Sequence, residues 1–153
     1  MSKRIFKELK EFKTFIDSES IDNHRLISLT SINDDKMQYN ICFLGPKDSP
    51  YEENIHNIYI DFPPEYPHKP PHLKFTSIVH HPNISIDGLI CLDILKDKWC
   101  PIYTIRTIIL SIISLLSDPN PDSPLNGKVA ELYKKSLVDK TAKREYYKLI
   151  MNY

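Results

Sequence analysis

Ile5, Phe6, Leu9, Phe12 and Ile16 recur at helical spacing with lysines and glutamates between them. The chain therefore opens on an amphipathic helix, with Ser2 as its N-terminal cap. The polar stretch Asp17 to Asn23 reads as a loop, Arg25 to Thr30 as a short strand and Asn33-Asp34-Asp35-Lys36 as a turn. From Met37 to Leu44 the period changes to two: Met37, Tyr39, Ile41 and Phe43 alternate with Gln38, Asn40 and Cys42, as in a half-buried strand. Ile58, Ile60 and Phe62 alternate with Tyr59 and Asp61 in a third strand, and Leu73 to Ser77 supplies a fourth. Short connections between successive strands predict an antiparallel meander.

The prolines between Phe62 and Pro71 forbid a helix and stiffen the chain, and Tyr66-Pro67 is a candidate cis bond. From Ile78 to Pro101 no periodicity is sustained, and a loop of that length in a compact domain is usually functional. Thr104 then caps a helix carrying Ile105, Ile108, Ile109, Ile112, Ile113 and Leu116. Its β-branched content favours a strand, but the spacing decides for a buried helix. Val129 to Leu137 and Ala142 to Met151 predict two further helices. The order of helix, four strands, loop and three helices implies an α+β domain, residues 1–153, with helices against one face of the sheet.

Composition narrows the possible functions. A chain of 153 residues with 41% hydrophobic and 26% charged residues suits one ordinary globular core. Twenty basic and twenty acidic residues give zero net charge, which argues against a general nucleic-acid binder. Lys3, Arg4, Lys7, Lys10 and Lys13 still form a local basic segment. No apolar run is long enough to span a bilayer and none resembles a secretory signal, so a cytoplasmic or nuclear address is expected, with no membrane or nucleic-acid partner. Cys42, Cys91 and Cys100 are odd in number and without paired spacing, as for free thiols in a reducing compartment.

The chemistry centres on His81-Pro82-Asn83 and on Cys91 within Gly88-Leu89-Ile90-Cys91-Leu92-Asp93-Ile94-Leu95. Cys91 is a buried structural thiol, a metal ligand with His80, His81 and Cys100, or a nucleophile; no Cys-x-x-Cys or His-x-x-x-His spacing supports the metal. An acylated thiol needs a donor for the oxyanion. Asn83 supplies that donor, or it locks the loop through a local backbone bond. His81, read alone, has the look of a catalytic base.

Around this stretch lie Gly45-Pro46-Lys47-Asp48-Ser49-Pro50-Tyr51-Glu52, then Phe62-Pro63, Tyr66-Pro67 and Lys69-Pro70-Pro71, and later Trp99-Cys100-Pro101 and the segment from Ser117 to Leu125, SDPNPDSPL. Five ordered blocks with these gaps resemble the ubiquitin-conjugating enzymes over nearly the whole chain. The resemblance implies the family's fold as a single catalytic domain without tail extensions, with Cys91 as acceptor of the C-terminal glycyl group of ubiquitin in thioester linkage. It implies oxyanion or loop support from Asn83, a structural role for His81, and an acidic wall at Asp93 that helps receive a lysine. Ser123 stands where many lysine-reactive members carry aspartate, so it is expected to support lysine transfer with Asp93 and Asp122.

The implied partners are ubiquitin, its activating enzyme, RING-type and HECT-type ligases, and protein substrates, with the chain itself a monomer. No bound cofactor is implied, because ATP is used by the activating enzyme. Lys3, Arg4 and Lys7 on the first helix, with His68 and Pro101 on two loops, match the surface for the activating enzyme and ligases. His68, Cys100 and Ile102 replace the phenylalanine, serine and alanine of several members, and loss of an aromatic anchor can remove a hot spot. Ser28 aligns with the backside site that holds a second ubiquitin in some members. Glu53-Asn54 replaces a common glycine pair, so the early turn is expected to differ there, and His80 replaces a frequent aromatic. Alternatives are conjugation of another ubiquitin-like protein, a non-catalytic module that docks ligases or ubiquitin, and a zinc or redox protein.

Overall fold

In the computed structural model, which describes residues 2–18 and 21–151, the first apolar stripe forms α1, Ser2–Ser18. Ile5, Leu9 and Phe12 are buried along it, and Phe6 is exposed. The Ser2 side chain, expected as the cap, lies outside the described residues. The elements that follow are α2 (Ile21–His24), β1 (Leu26–Asn33), β2 (Gln38–Leu44), β3 (Ile55–Asp61), β4 (His72–Phe75), a 3-10 turn (Asp93–Leu95), α3 (Ile105–Ser117), α4 (Gly127–Ser136) and α5 (Lys140–Met151). The Tyr66-Pro67 bond is cis.

The four strands form one antiparallel sheet in the order β1-β2-β3-β4. Its alternation sorts the side chains as expected. Tyr39, Ile41 and Phe43 pair with Ile60, Ile58 and His56, and all six are buried. On the opposite face, Ser28 pairs with Cys42, and Cys42 with Asn57. The inward face shares one hydrophobic cluster with α1 and α3.

α3 shows why spacing outweighs propensity. Ile105, Ile108, Ile109, Ile112, Ile113 and Leu116 are all buried, and burying one such side chain contributes roughly 2 kcal/mol. That gain exceeds the few tenths of a kcal/mol per residue lost to β-branching. Thr104 caps the helix, its Oγ1 accepting from the Thr107 N–H at 3.4 Å.

Three local expectations are corrected. The stretch expected as a loop is partly helical: α1 reaches Ser18, and α2 covers Ile21–His24. Tertiary contacts outweigh its polar composition, since the His24 ring packs 4.9 Å from that of Phe15 and its Nδ1 accepts from the Leu26 N–H at 3.0 Å. Met37, expected in β2, sits in the preceding turn at φ 54°. In the early turn the left-handed residue is Asp48, at φ 64°, rather than Glu53 or Asn54. Asn54 instead reaches the last helix, where its Nδ2 donates to the Ile150 carbonyl at 3.0 Å.

Candidate active site

The aperiodic segment after β4 is held by backbone pairing. Gly88 adopts φ 91° and lies so close to β4 that a Cβ there would sit 2.0 Å from the Phe75 carbonyl oxygen. Only glycine fits. The Phe75 N–H donates to the Gly88 carbonyl at 2.9 Å, and isolated bridges join Ile84 to Ile90 and Lys74 to Leu89. This brings Cys91 beside Asn83, and the Cys91 N–H donates to the Asn83 carbonyl at 2.9 Å. The Cys91 thiol is half-buried, at a point where the chain then folds into the 3-10 turn. That turn returns Lys96 over the cysteine, its Nζ 3.6 Å from Sγ.

His81 is fully buried between two partners. Its Nε2 faces the Leu115 carbonyl at 2.8 Å, and its Nδ1 accepts from the Asn83 N–H at 2.9 Å. A carbonyl requires a donor and an N–H requires an acceptor, so the ring is the neutral Nε2–H tautomer. Burial lowers its pKa to about 4, with the Leu115 carbonyl opposing. Both nitrogens are engaged in backbone contacts, which gives His81 a structural geometry.

Asn83 is also buried, at 1% exposure. Its Nδ2 donates to the Asn120 carbonyl at 2.7 Å and to the Ser123 carbonyl at 3.0 Å, and its Oδ1 accepts from the Asn120 N–H at 2.7 Å. Both amide hydrogens thus have acceptors in the loop after α3. The Pro82 carbonyl fastens the same loop by accepting from Leu125 and Asn126 at 2.9 and 3.1 Å. Ser123 and Asp122 are exposed on this loop, and Asp93 is exposed at the start of the 3-10 turn. One amide therefore spans the segment beside Cys91 and the segment bearing Ser123.

A second network joins α1 to the two loops expected to meet partners. Glu8 is buried, 6% exposed, and collects Arg4 Nε at 2.9 Å, the Tyr66 hydroxyl at 2.8 and 2.6 Å, and the Ile105 N–H at 2.9 Å. Its carboxylate thus sits at the N-terminus of α3, where the helix dipole favours negative charge. Arg4 Nη2 donates to the Pro101 and Tyr103 carbonyls. Trp99 Nε1 donates to the Pro67 carbonyl at 2.8 Å. These bonds gather Lys3, Lys7, His68, Pro101 and Ile102 on adjoining segments, all exposed, whereas the Arg4 guanidinium is directed inward. Ser28 is half-buried on the outer sheet face, on β1.

Among the remaining thiols, burial pushes Cys42 up in pKa, and Cys100 is half-buried beside Pro101. Among the described residues no group of three or more His, Cys, Asp or Glu side chains is arranged to hold a metal ion. Beside Lys96 an apolar groove of about 380 Å³ is lined by Pro71, Leu73, Leu89, Ile90, Leu95 and Leu125.

Glu8, Asn120 and Lys96 are absent from the residues expected at the site. A signal for Glu8 exists, because positions 5, 8, 9 and 12 form one helical stripe and a carboxylate lies within it. For Asn120 and Lys96 no pattern announces the contact.

The sequence model of the family described as ubiquitin-conjugating enzyme matches residues 4–148. Among solved structures, the chain is similar to the H. polymorpha ubiquitin conjugating enzyme Pex4p, crystallised in complex with the soluble domain of Pex22p. The TM-score is 0.86 at 29% identity, covering 99% of this chain and 94% of that one.

Proposed function

The chain belongs to the ubiquitin-conjugating enzyme family, and from that membership and the geometry around Cys91 we propose that it accepts activated ubiquitin as a thioester on Cys91 and passes it to a substrate lysine or a ligase cysteine. The observation that carries this reading is the placement of Cys91: a half-buried thiol held by its backbone N–H against Asn83, beside an open apolar groove suited to an extended peptide tail. Thioester exchange takes the glycyl carbonyl from the activating enzyme's cysteine and keeps it reactive toward amines. ATP is consumed by the activating enzyme, and no bound cofactor takes part here.

Asn83 acts in this reading as a positioning residue that sets the loop bearing Ser123 against the Cys91 segment. Its donors point at carbonyls rather than toward Sγ, which supports loop support over oxyanion donation. Asp93 and Ser123, both exposed, receive and orient the incoming lysine, with Asp122 beside Ser123. Lys3, Lys7, His68 and Pro101 form the surface for the activating enzyme and for RING-type or HECT-type ligases, braced from behind by Arg4 and Glu8. Ser28 offers a backside contact for a second ubiquitin. The protein works in the cytoplasm or nucleus.

The test is a charging assay with ubiquitin, activating enzyme and ATP, run on a non-reducing gel beside Cys91→Ala and Cys91→Ser. The expected result is an adduct that thiol reductant removes, absent in the alanine form and reductant-resistant in the serine form. No adduct, where a control conjugating enzyme charges, transfers the reading to another ubiquitin-like modifier or to a binding module.

A further inference from the structure

His56 sits among rings that offer it no hydrogen bond. It is 4% exposed, and the rings of Phe43, Phe75 and Tyr51 are centred 5.2, 5.8 and 6.1 Å from its imidazole. Its buried Nε2 has no partner among the described residues. A buried polar atom left unpaired costs stability, and one that persists in a native structure marks a water, an ion or a ligand. The imidazole lines a cavity of about 200 Å³ between the early turn, the start of β3, the segment before His81 and the end of α5. Ile78 on its wall is 64% exposed, so the cavity reaches the surface.

The lining selects among occupants. Among the described residues it carries no carboxylate, ammonium or guanidinium. Burial lowers the pKa of His56 to about 4, so its ring is neutral at pH 7. A charged ligand would shed its water here with no opposite charge in return. No third His, Cys, Asp or Glu joins His56 and His80 to close a metal site among the described residues. Water can pair with a polar atom, but the space exceeds several water volumes of about 30 Å³ each, and Ile78 and Ile150 offer water nothing.

A flat neutral ring suits this lining better. A cavity of about 150 Å³ already accepts benzene. Tyr51, His56 and His80 supply ring walls, and Ile78 and Ile150 supply aliphatic ones. Two of the polar groups are already engaged: the Tyr51 hydroxyl donates to the His80 carbonyl at 2.5 Å, and Asn54 Nδ2 donates to the Ile150 carbonyl at 3.0 Å. A hydroxyl on the incoming ring both donates and accepts, so it pairs with His56 in either neutral tautomer. We infer that this cavity binds a small neutral phenol, with its ring among the ring walls and its hydroxyl paired with His56. The same chemistry arrives as a free phenol or as the tyrosine side chain of a partner. Tyr51 ties the cavity to the active-site segment, since it holds the carbonyl of His80 and its ring lies 5.8 Å from that of His81. An occupant therefore braces, from behind, the segment that presents Asn83. Binding here does not depend on the chemistry of Cys91.

The experiment titrates p-cresol, toluene and the anion p-toluate into the uncharged protein at pH 7 and follows the amide NMR signals of Asn54, His56 and Val79. p-Cresol is expected to saturate them in the millimolar range, as suits a ligand of its size. Toluene is expected to bind about tenfold more weakly, because it leaves His56 unpaired, and p-toluate not to bind. In His56→Phe, which keeps a ring among the three aromatic neighbours, p-cresol is expected to lose its advantage over toluene. N-acetyltyrosinamide saturating the same signals assigns the ring to a partner's tyrosine, and p-cresol binding without it assigns a free phenol. No saturation by p-cresol up to about 10 mM, equal binding of p-cresol and toluene, binding of p-toluate, or an advantage that survives His56→Phe overturns the inference. If His56→Phe does not fold, the comparison of p-cresol with toluene in the wild type still decides.

Discussion

Asn83→Ala is the substitution that best separates loop support from oxyanion donation. The side chain makes three bonds to the loop after α3, two to the carbonyls of Asn120 and Ser123 and one from the Asn120 N–H, from a site that is almost wholly buried. A buried backbone group stripped of its partner costs roughly 1–3 kcal/mol. Asn120 and Ser123 are exposed residues, so water recovers part of that loss. The net expectation is a destabilisation of about 2–4 kcal/mol. For a chain of this size that lowers Tm by roughly 4–16 °C. Urea denaturation measures the first quantity, and hydrogen exchange at the Asn120 amide measures the local one. In the wild type that amide is expected to be protected despite the exposure of its residue, and in Asn83→Ala the protection is expected to vanish. Transfer to lysine then falls because Ser123 and its loop have moved. Pure oxyanion donation predicts a different pattern: a loss of about a hundred- to a thousand-fold in rate with the loop undisturbed. An unchanged urea midpoint and unchanged Asn120 protection, together with a loss of that size, would refute the reasoning.

The buried histidines predict a pH dependence of stability. His56 and His81 are both lowered by burial to about 4, so each is neutral in the folded chain where the unfolded one binds a proton. Stability is complete above the unfolded value of about 6.5 and is lost as pH falls toward 4, by about 3 kcal/mol per histidine. Urea midpoints at pH 7.5 and 5 check this, and a flat profile that His56→Leu leaves unaltered would contradict it. Glu8→Ala strips partners from Arg4, Tyr66 and the Ile105 N–H, and is expected to cost about 3–5 kcal/mol in denaturation. An effect below about 1 kcal/mol would show that the cluster holds little. Ser123→Asp is expected to speed discharge of the Cys91 thioester to free lysine and Ser123→Ala to slow it, because a carboxylate orients a cationic amine better than a hydroxyl. If neither moves the rate, Ser123 has no part in lysine positioning.

How legible each feature is depends on how far its cause lies along the chain. The strands and α3 follow from neighbours two to four residues apart, and the alternation through Tyr39, Ile41 and Phe43 therefore gives the buried face directly. The α2 turn fails as an expectation because its support comes from Phe15, on another helix. The His81-Pro82-Asn83 and Cys91 segments stand out through resemblance and lack of period, but their partners do not. Asn83 is bonded to groups 37 and 40 residues later, and Glu8 to Tyr66 and Ile105, 58 and 97 residues away. The carboxylate of Glu8 stands out within the apolar stripe of α1, but nothing near it in sequence names the tyrosine and the helix N-terminus that the fold brings against it. Lys96 is near Cys91 in sequence, yet the contact exists only because the 3-10 turn reverses the chain between them.

At His81 a buried side chain held in one protonation state fixes the backbone segment from which the Asn83 bonds start. His81 must present a lone pair at Nδ1 to accept from the Asn83 N–H, and it does so because Nε2 carries the proton donated to Leu115. Burial keeps the second proton off. With its N–H engaged, Asn83 turns its side chain to the loop after α3 and its carbonyl to the Cys91 N–H. Protonated His81 would set Nδ1–H against the Asn83 N–H, two donors facing each other. The neutral ring therefore does for the backbone what a catalytic histidine does for a nucleophile: it selects an orientation, and its unreactive state is what suits it to that task.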